Sequence, residues 1–153
     1  MKRVITYLLA IASLYLAGFM WLLLYGTENC ENLRVGLTCA AIGGLGGCLY
    51  CLRGVYLNAA VRNQWSPQWH VWYYLRPIVS GGCGAVSYLF LKAGLLVLDA
   101  GTKADASEIG FYALAFIAGF NVDKFIKKIE DVSEAVWGIE KSRAAKSAEE
   151  DKK

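Results

Sequence analysis

The chain has 153 residues, 56% of them apolar, and a net charge of only +3. Its length fits one domain, and so small a charge gives no reason to expect a nucleic-acid partner. The five cysteines are odd in number and mostly lie in apolar stretches, which argues against a disulfide framework. A membrane protein and a soluble globular domain remain to be distinguished.

Four apolar stretches, residues 4–25, 35–52, 77–98 and 109–120, carry flanking charges of alternating bias. The segment before the first stretch and the one between the second and third contain basic residues and no acid: Lys2, Arg3, Arg53, Arg62 and Arg76. The other two connections contain acids. This positive-inside pattern predicts an all-α membrane protein with four transmembrane helices and both termini in the cytoplasm.

The first stretch predicts a helix from about residue 5 to Tyr25. At 1.5 Å per residue its apolar run is about 33 Å long, enough to cross a hydrocarbon core of ~30 Å. We expect a retained span rather than a cleaved signal peptide, because the run exceeds the usual length of ~7–15 residues. An outer loop is expected over residues 26–33.

Glycine dominates the second stretch, where Gly43 and Gly47 form a G-x-x-x-G pair. Small residues one turn apart let helix backbones approach closely. We therefore predict that this helix is central and packs on the third span through Gly84. The helix-packing residues predicted from sequence are Gly43, Gly47 and Gly84.

The connection between the second and third stretches is rich in aromatic residues. Ser66 and Pro67 resemble an N-cap and first helical residue, which predicts a short interfacial helix over residues 67–75. Pro77 should hold the residue before it away from helical angles and begin the third span. The predicted interfacial anchors are Trp65, Trp69, Trp72 and Arg76.

The fourth stretch is short, about 18 Å, and crosses fully only if its helix continues past Phe120 or the bilayer thins. Asp105 and Glu108 form a variant capping box before it, and Asn121 is predicted to cap the next helix. That cytoplasmic helix carries a heptad-like apolar seam: Val122, Phe125, Ile129, Val132, Val136 and Ile139. The predicted organisation is therefore a transmembrane domain, residues 1–120, and a cytoplasmic amphipathic helix with a charged tail, residues 121–153.

Candidate chemical groups are few. Cys48 and Cys51 form a C-x-x-C pair without the further ligands of a metal site, so we interpret them as packing residues. Lys92 is the one charge inside a span, a candidate contact for an ion or lipid. The alternative is that its side chain extends outward to lipid phosphate or Asp99. No catalytic, cofactor-binding or metal-binding residue is predicted.

Three other features each leave an alternative open. His70 could sense pH or simply belong to the interfacial belt. Arg76 could bind an anionic headgroup or nucleotide phosphate, or only mark the cytoplasmic boundary. The C-terminal seam could bind a partner, pack on its own subunit or lie on the membrane.

Three segments carry a resemblance: Gly43-Gly44-Leu45-Gly46-Gly47, Trp72-Tyr73-Tyr74-Leu75-Arg76-Pro77 and Gly119-Phe120-Asn121 after an apolar run. The chain resembles small bacterial multi-pass membrane proteins of unassigned function that carry a W-Y-x-L-R-P element. The resemblance implies the same topology and a bacterial inner-membrane location.

The leading hypothesis is a non-enzymatic membrane protein that forms a homo-oligomer and presents its cytoplasmic helix to a protein partner. The second is a pore-forming or membrane-permeabilising effector, as in phage defence, or a small channel or transporter. Its lumen would be lined by Gly, Ser and Cys of the second and third helices. A lipid enzyme is third, because His70 and Arg76 have no nearby acid on the cytoplasmic side.

Overall fold

The computed structural model describes residues 2–25, 31–62, 67–94 and 108–140. Within these ranges the protein is helical and has no strand, so the predicted all-helical class is confirmed for them. The α-helices are α1 (Lys2–Tyr25), α2 (Glu31–Tyr56), α3 (His70–Lys92), α4 (Glu108–Phe120) and α5 (Val122–Trp137). A π-helical turn, Leu57–Val61, extends α2, and a 3₁₀ turn, Pro67–Trp69, precedes α3.

Two helical segments, Lys2–Tyr25 and Asn32–Val61, are long and apolar enough to cross a membrane. A third is added if α4 and α5, which are broken at Asn121, count as one span. α3 has 23 residues, but its glycines, tyrosines and buried arginine lower its hydropathy. α4 has 13 residues and reaches only about 20 Å. Over the described residues, length and hydropathy therefore support two or three of the four predicted spans.

The surface of α1 is suited to lipid rather than water. Only 6% of the candidate span in α1 is buried, against 56% of the span in α2. The exposed side chains of α1 include Leu14, Leu16, Trp21 and Leu24. A soluble protein with so much contiguous apolar surface would aggregate. The apolar helices thus indicate association with a membrane.

α2 is the central helix of the first four, because its contacts with the other three are the most extensive. One core cluster surrounds its C-terminal part: Val4, Leu8, Cys51, Val55 and Tyr73. A second surrounds its N-terminal part: Val35, Cys39, Tyr88 and Ala115. These clusters lie on either side of the glycine-rich middle of α2.

α3 runs without interruption through Pro77, so the separate interfacial helix predicted over residues 67–75 is wrong. Two tyrosines of α1 donate hydrogen bonds near the proline: Tyr7 Oη to the carbonyl of Tyr74 (3.0 Å) and Tyr15 Oη to the carbonyl of Pro77 (3.2 Å). The amide that proline lacks would have bonded the carbonyl of Tyr73, so these two bonds do not replace it. They attach α1 to α3 beside the proline, and the helix continues through Pro77 in spite of the local preference for a break.

One other boundary differs from that predicted. α2 begins at Glu31, so the last three residues of the predicted outer loop are helical. Asn121, predicted to cap α5, lies between α4 and α5, and its backbone and side-chain amides both donate to the carbonyl of Ile117, at 2.9 and 3.5 Å. The predicted capping residue Asp105 lies outside the described residues.

The chain divides into two compact units, residues 1–122 and 123–153. α5 provides the described helix of the second unit and ends at Trp137. Gly138 follows in the left-handed region, with φ +66°, which stops the helix. Ile139 therefore lies beyond the helix and does not continue the predicted seam.

Candidate functional site

The three glycines predicted to mediate packing all lie in one contact between α2 and α3. A Cβ atom added to Gly43 would lie 2.7 Å from the Cα of Gly84 and 2.7 Å from the carbonyl oxygen of Ser80. A Cβ on Gly47 would overlap the Ser80 side chain. Backbone therefore approaches backbone at Gly43 and Gly84, and no side chain would fit at any of the three glycines.

α4 and α1 contact other glycines of the same row. Gly119 of α4 lies against the backbone of Gly43, and a Cβ on Gly46 would be 2.7 Å from the carbonyl oxygen of Phe116. The ring of Tyr15, from α1, covers Gly44. The small-residue faces of α2 are thus occupied within one chain.

A polar group of residues, which we call the Glu108 cluster, joins α2, α3 and α4 near the N-terminal end of α2. Its members are Asn32, Arg34, Tyr88, Lys92, Glu108 and Tyr112. Glu108 accepts hydrogen bonds from Arg34 (2.9 Å) and from the Tyr112 hydroxyl (2.7 Å). The Tyr88 hydroxyl donates to Asn32 at 3.3 Å. These bonds connect three helices through side chains alone.

Lys92 belongs to this cluster. Its Nζ donates to the side-chain oxygen of Asn32 and, at 3.3 Å, to the hydroxyl of Tyr88. Lys92 remains exposed, but it bonds α2 and α3 together instead of only reaching outward to phosphate. Asp99, its other predicted partner, lies outside the described residues.

Cys48 and Cys51 are both fully buried free thiols in the bundle. Cys51 packs in the core cluster with Leu8 and Tyr73. No group of three His, Cys, Asp or Glu residues close enough to hold a metal ion occurs among the described residues. The two cysteines are placed as packing residues.

A cavity of about 570 Å³, the arginine pocket, opens where α2 ends and α3 begins. Its lining residues come from both helices and the π turn: Tyr50, Arg53, Gly54, Leu57, Asn58, Arg62, Trp69, Trp72 and Tyr73. Arg53 and Arg62 are both exposed. No acidic residue is among the described residues that line the pocket. The pocket therefore combines positive charge with aromatic walls.

The wide turn of the π helix shapes one side of the arginine pocket. The amide of Arg62 donates to the carbonyl of Leu57 over 2.9 Å, a five-residue spacing. Asn58, inside the turn, donates its side-chain amide to the hydroxyl of Tyr73 at 3.3 Å. Single π turns inside or at the end of α-helices are frequent at functional sites.

Arg76 lies behind the aromatic wall of this pocket. It is only 6% exposed, and its guanidinium carbon is 4.9 Å from the centre of the Tyr50 ring and 5.3 Å from that of Trp72. Arg76 is helical and buried, so it does not reach out to lipid as an interfacial anchor would. Its charge instead lies directly beneath two rings that line the pocket.

The predicted tryptophan anchors differ from one another in position. Trp69 is 55% exposed, whereas Trp72 is half-buried against Tyr50 and Tyr73. Trp65 lies outside the described residues. Of the two predicted tryptophan anchors that the structure describes, Trp69 has the exposure expected of a side chain that sets depth at a membrane interface.

The predicted partner face of α5 is partly open. Phe125 and Val122 are buried, Ile129 and Val132 are intermediate, and Val136 is 52% exposed. Ile126 and Trp137, which the heptad pattern omitted, widen the apolar surface. The opposite side of α5 carries both signs of charge: Asp123, Lys124, Lys127, Lys128, Glu130, Asp131 and Glu134.

No protein family, curated protein sequence or solved structure matches this chain. Its functional interpretation therefore depends on its own residues. Sequence reasoning missed the arginine pocket, although three arginines without an acid over residues 53–76 were a signal of it. It also missed Tyr7 and Tyr15, for which nothing in the local pattern gives a signal.

Proposed function

We propose that this chain is a non-enzymatic integral membrane protein that presents α5 at the cytoplasmic face of a bacterial inner membrane to a protein partner. One observation carries the proposal: α5 is an amphipathic helix in a unit of its own, with Val136 and Trp137 more than half exposed. An apolar helix face of this kind is the usual element of helix-in-groove recognition.

The charge of α5 favours a protein over a lipid surface as its partner. Helices that lie on membranes have polar faces rich in Lys and Arg, since these attract anionic lipid. α5 has three lysines but four acids, Asp123, Glu130, Asp131 and Glu134. Its acids oppose binding to an anionic bilayer, whereas a protein groove can match both signs.

The topology in this proposal is an even number of membrane crossings by α1–α4, with both termini in the cytoplasm. The acid-free basic segment over residues 53–76 supports it. α4 is short for a crossing, so the bilayer thins around it or its neighbours shield its ends. The second unit then begins on the cytoplasmic side.

The pore alternative is less well supported. A lumen lined by Gly, Ser and Cys of α2 and α3 requires those side chains to face an oligomer axis. Gly43 and Gly84 instead face each other, and Cys48 is buried within the chain. For the same reason, the glycine rows no longer argue for a homo-oligomer, and self-association in this proposal uses α5.

Photocrosslinking of the full chain tests the proposal. A photoreactive benzoylphenylalanine replaces Val136 in cells that carry the native gene, and the membranes are irradiated. We expect a discrete protein adduct, reduced at least about tenfold by Val132→Asp because a carboxylate in an apolar interface is costly. Ala135→Asp adds the same charge to the exposed polar side and should leave the adduct intact.

The adduct's mass identifies the partner. An adduct of twice the chain mass identifies the partner as a second copy, and any other discrete mass identifies a different protein. Crosslinks to lipid alone, or equal loss in the two aspartate variants, would contradict the proposal.

A further inference from the structure

We propose that the arginine pocket binds the phosphate of an anionic phospholipid headgroup. This inference rests on the membrane topology of the proposed function but not on α5, because the pocket is formed by α2, the π turn and the start of α3. It rests on the charge of the pocket, its position at the end of a membrane span and the apolar surface beside it.

The charge of the pocket suits a phosphate. Arg53 and Arg62 line it from the end of α2 and from just after the π turn, and both are exposed. Neither has an ion-pair partner in the part of the chain that the structure describes. A guanidinium presents a planar set of N–H donors that matches a phosphate group with two parallel hydrogen bonds. Two such groups in one pocket favour an anion strongly.

A third positive charge lies beneath the wall. Arg76 is buried against the rings of Tyr50 and Trp72, which themselves line the pocket. A charge in a low-dielectric surrounding acts over a longer distance than a solvated one. Arg76 is therefore a positioning residue: its contacts hold the two rings that line the pocket.

The position of the pocket brings it to the depth of lipid headgroups. The candidate span Asn32–Val61 ends inside the pocket wall, at the π turn. The exposed Trp69 lines the same opening, and tryptophan favours the membrane–water interface. Basic pockets between membrane helices on the cytoplasmic side are a known place for anionic headgroups. Its volume of about 570 Å³ is within the usual range for small-molecule sites.

The surface beside the pocket favours a lipid over a free phosphate compound. Leu49 and Tyr56 on α2 and Val61 at the end of the π turn are all exposed. Acyl chains attached to a bound headgroup can cover these side chains, whereas a soluble phosphate ester would leave them in contact with water. The same phosphate chemistry therefore points to a ligand with an apolar tail.

Lipid binding by the purified full-length protein tests the proposal. The protein is held in nanodiscs of phosphatidylcholine, and phosphatidylglycerol is titrated in at 0.15 M salt while bound lipid is counted by native mass spectrometry. Arg53→Gln with Arg62→Gln removes both exposed arginines without touching the core. Lys2→Gln with Arg3→Gln is the matched control, since it removes two exposed charges that the positive-inside pattern assigns to the same face.

We expect wild type and the Lys2/Arg3 control to retain phosphatidylglycerol in preference to phosphatidylcholine. The Arg53/Arg62 variant should bind it about thirtyfold more weakly. If both variants bound phosphatidylglycerol equally weakly, binding would depend on general surface charge, and the proposal would be overturned. Absence of any preference for phosphatidylglycerol would overturn it as well. Saturation by inorganic phosphate without that lipid preference would overturn the lipid assignment and identify a soluble phosphate ligand.

Discussion

The Glu108 cluster and the arginine pocket lie at opposite ends of α2 and use their charges differently. In the Glu108 cluster, Arg34 is paired with Glu108, and Lys92 bonds to side chains of two helices. In the arginine pocket, Arg53 and Arg62 have no acidic partner among the described residues. Charges that hold helices together are satisfied inside the chain, whereas charges left open around a cavity are available to a ligand.

The largest effect is expected from Gly43→Val, because Gly43 lies on α2 between the Glu108 cluster and the arginine pocket. Its new side chain would meet the backbones of α3 and α4, so the helices must separate. We expect a loss of at least about 3 kcal/mol in the free energy of unfolding, measured by denaturant titration in detergent. Both ends of α2 should lose their contacts together.

Gly82→Val is the control for that substitution. A Cβ at Gly82 meets nothing within 4 Å, and the residue is exposed. Its free energy of unfolding should stay within about 1 kcal/mol of wild type. Equal loss in the two valine variants would show that the glycines matter for helix flexibility rather than for close approach.

Glu108→Gln tests the pairing in the Glu108 cluster. The substitution removes the charge that Arg34 faces and weakens the acceptor for Tyr112. We expect about 1 kcal/mol less stability, since the pair is partly exposed and solvent screens it. The charge-reversed double variant Arg34→Glu with Glu108→Arg should recover part of the loss. No recovery would mean that the ion pair is not the stabilising contact.

Tyr7→Phe tests how α1 is attached near the arginine pocket. The hydroxyl of Tyr7 donates to the carbonyl of Tyr74, and the two rings are 4.6 Å apart in an edge-to-face contact. Loss of this bond should cost about 0.6 kcal/mol, the typical value for a bond between membrane helices. Tyr25→Phe, on an exposed ring, should have no effect on the same thermal or denaturant measurement.

Arg53→Gln should have the smallest effect on stability. Because Arg53 pairs with no described acid, its free energy of unfolding should stay within about 0.5 kcal/mol of wild type. A loss of stability as large as that of Glu108→Gln would contradict the proposed difference in charge pairing between the two ends of α2. Unchanged stability together with weaker lipid binding would sharpen that difference.

Sequence reasoning succeeds for contacts that follow from spacing along one helix. Gly43 and Gly47 are one turn apart, and small residues at that spacing predict a close neighbour whatever the rest of the fold is. The same reasoning placed Gly84 opposite them. The high apolar content likewise predicts a membrane protein, and a membrane favours helices because few backbone structures satisfy all their own hydrogen bonds in lipid.

Sequence reasoning fails where distant residues decide. The tyrosines of α1 that bond to α3 beside Pro77 are more than 60 residues away along the chain, and the local rule that predicted a break takes no account of such contacts. Lys92 meets Asn32 across a similar separation. The arginine pocket requires α2 to continue beyond its apolar stretch into a π turn, and no residue pattern in Leu57–Val61 predicts such a turn.

The contact between Gly43 and Gly119 has a consequence for biosynthesis. α2 leaves the ribosome well before α4, so its glycine face lacks one of its neighbours for a time on the order of ten seconds at ordinary elongation rates. During that interval the small-residue face around Gly43 is a packing surface without its partner. Truncation before Gly119 would leave it in that state permanently.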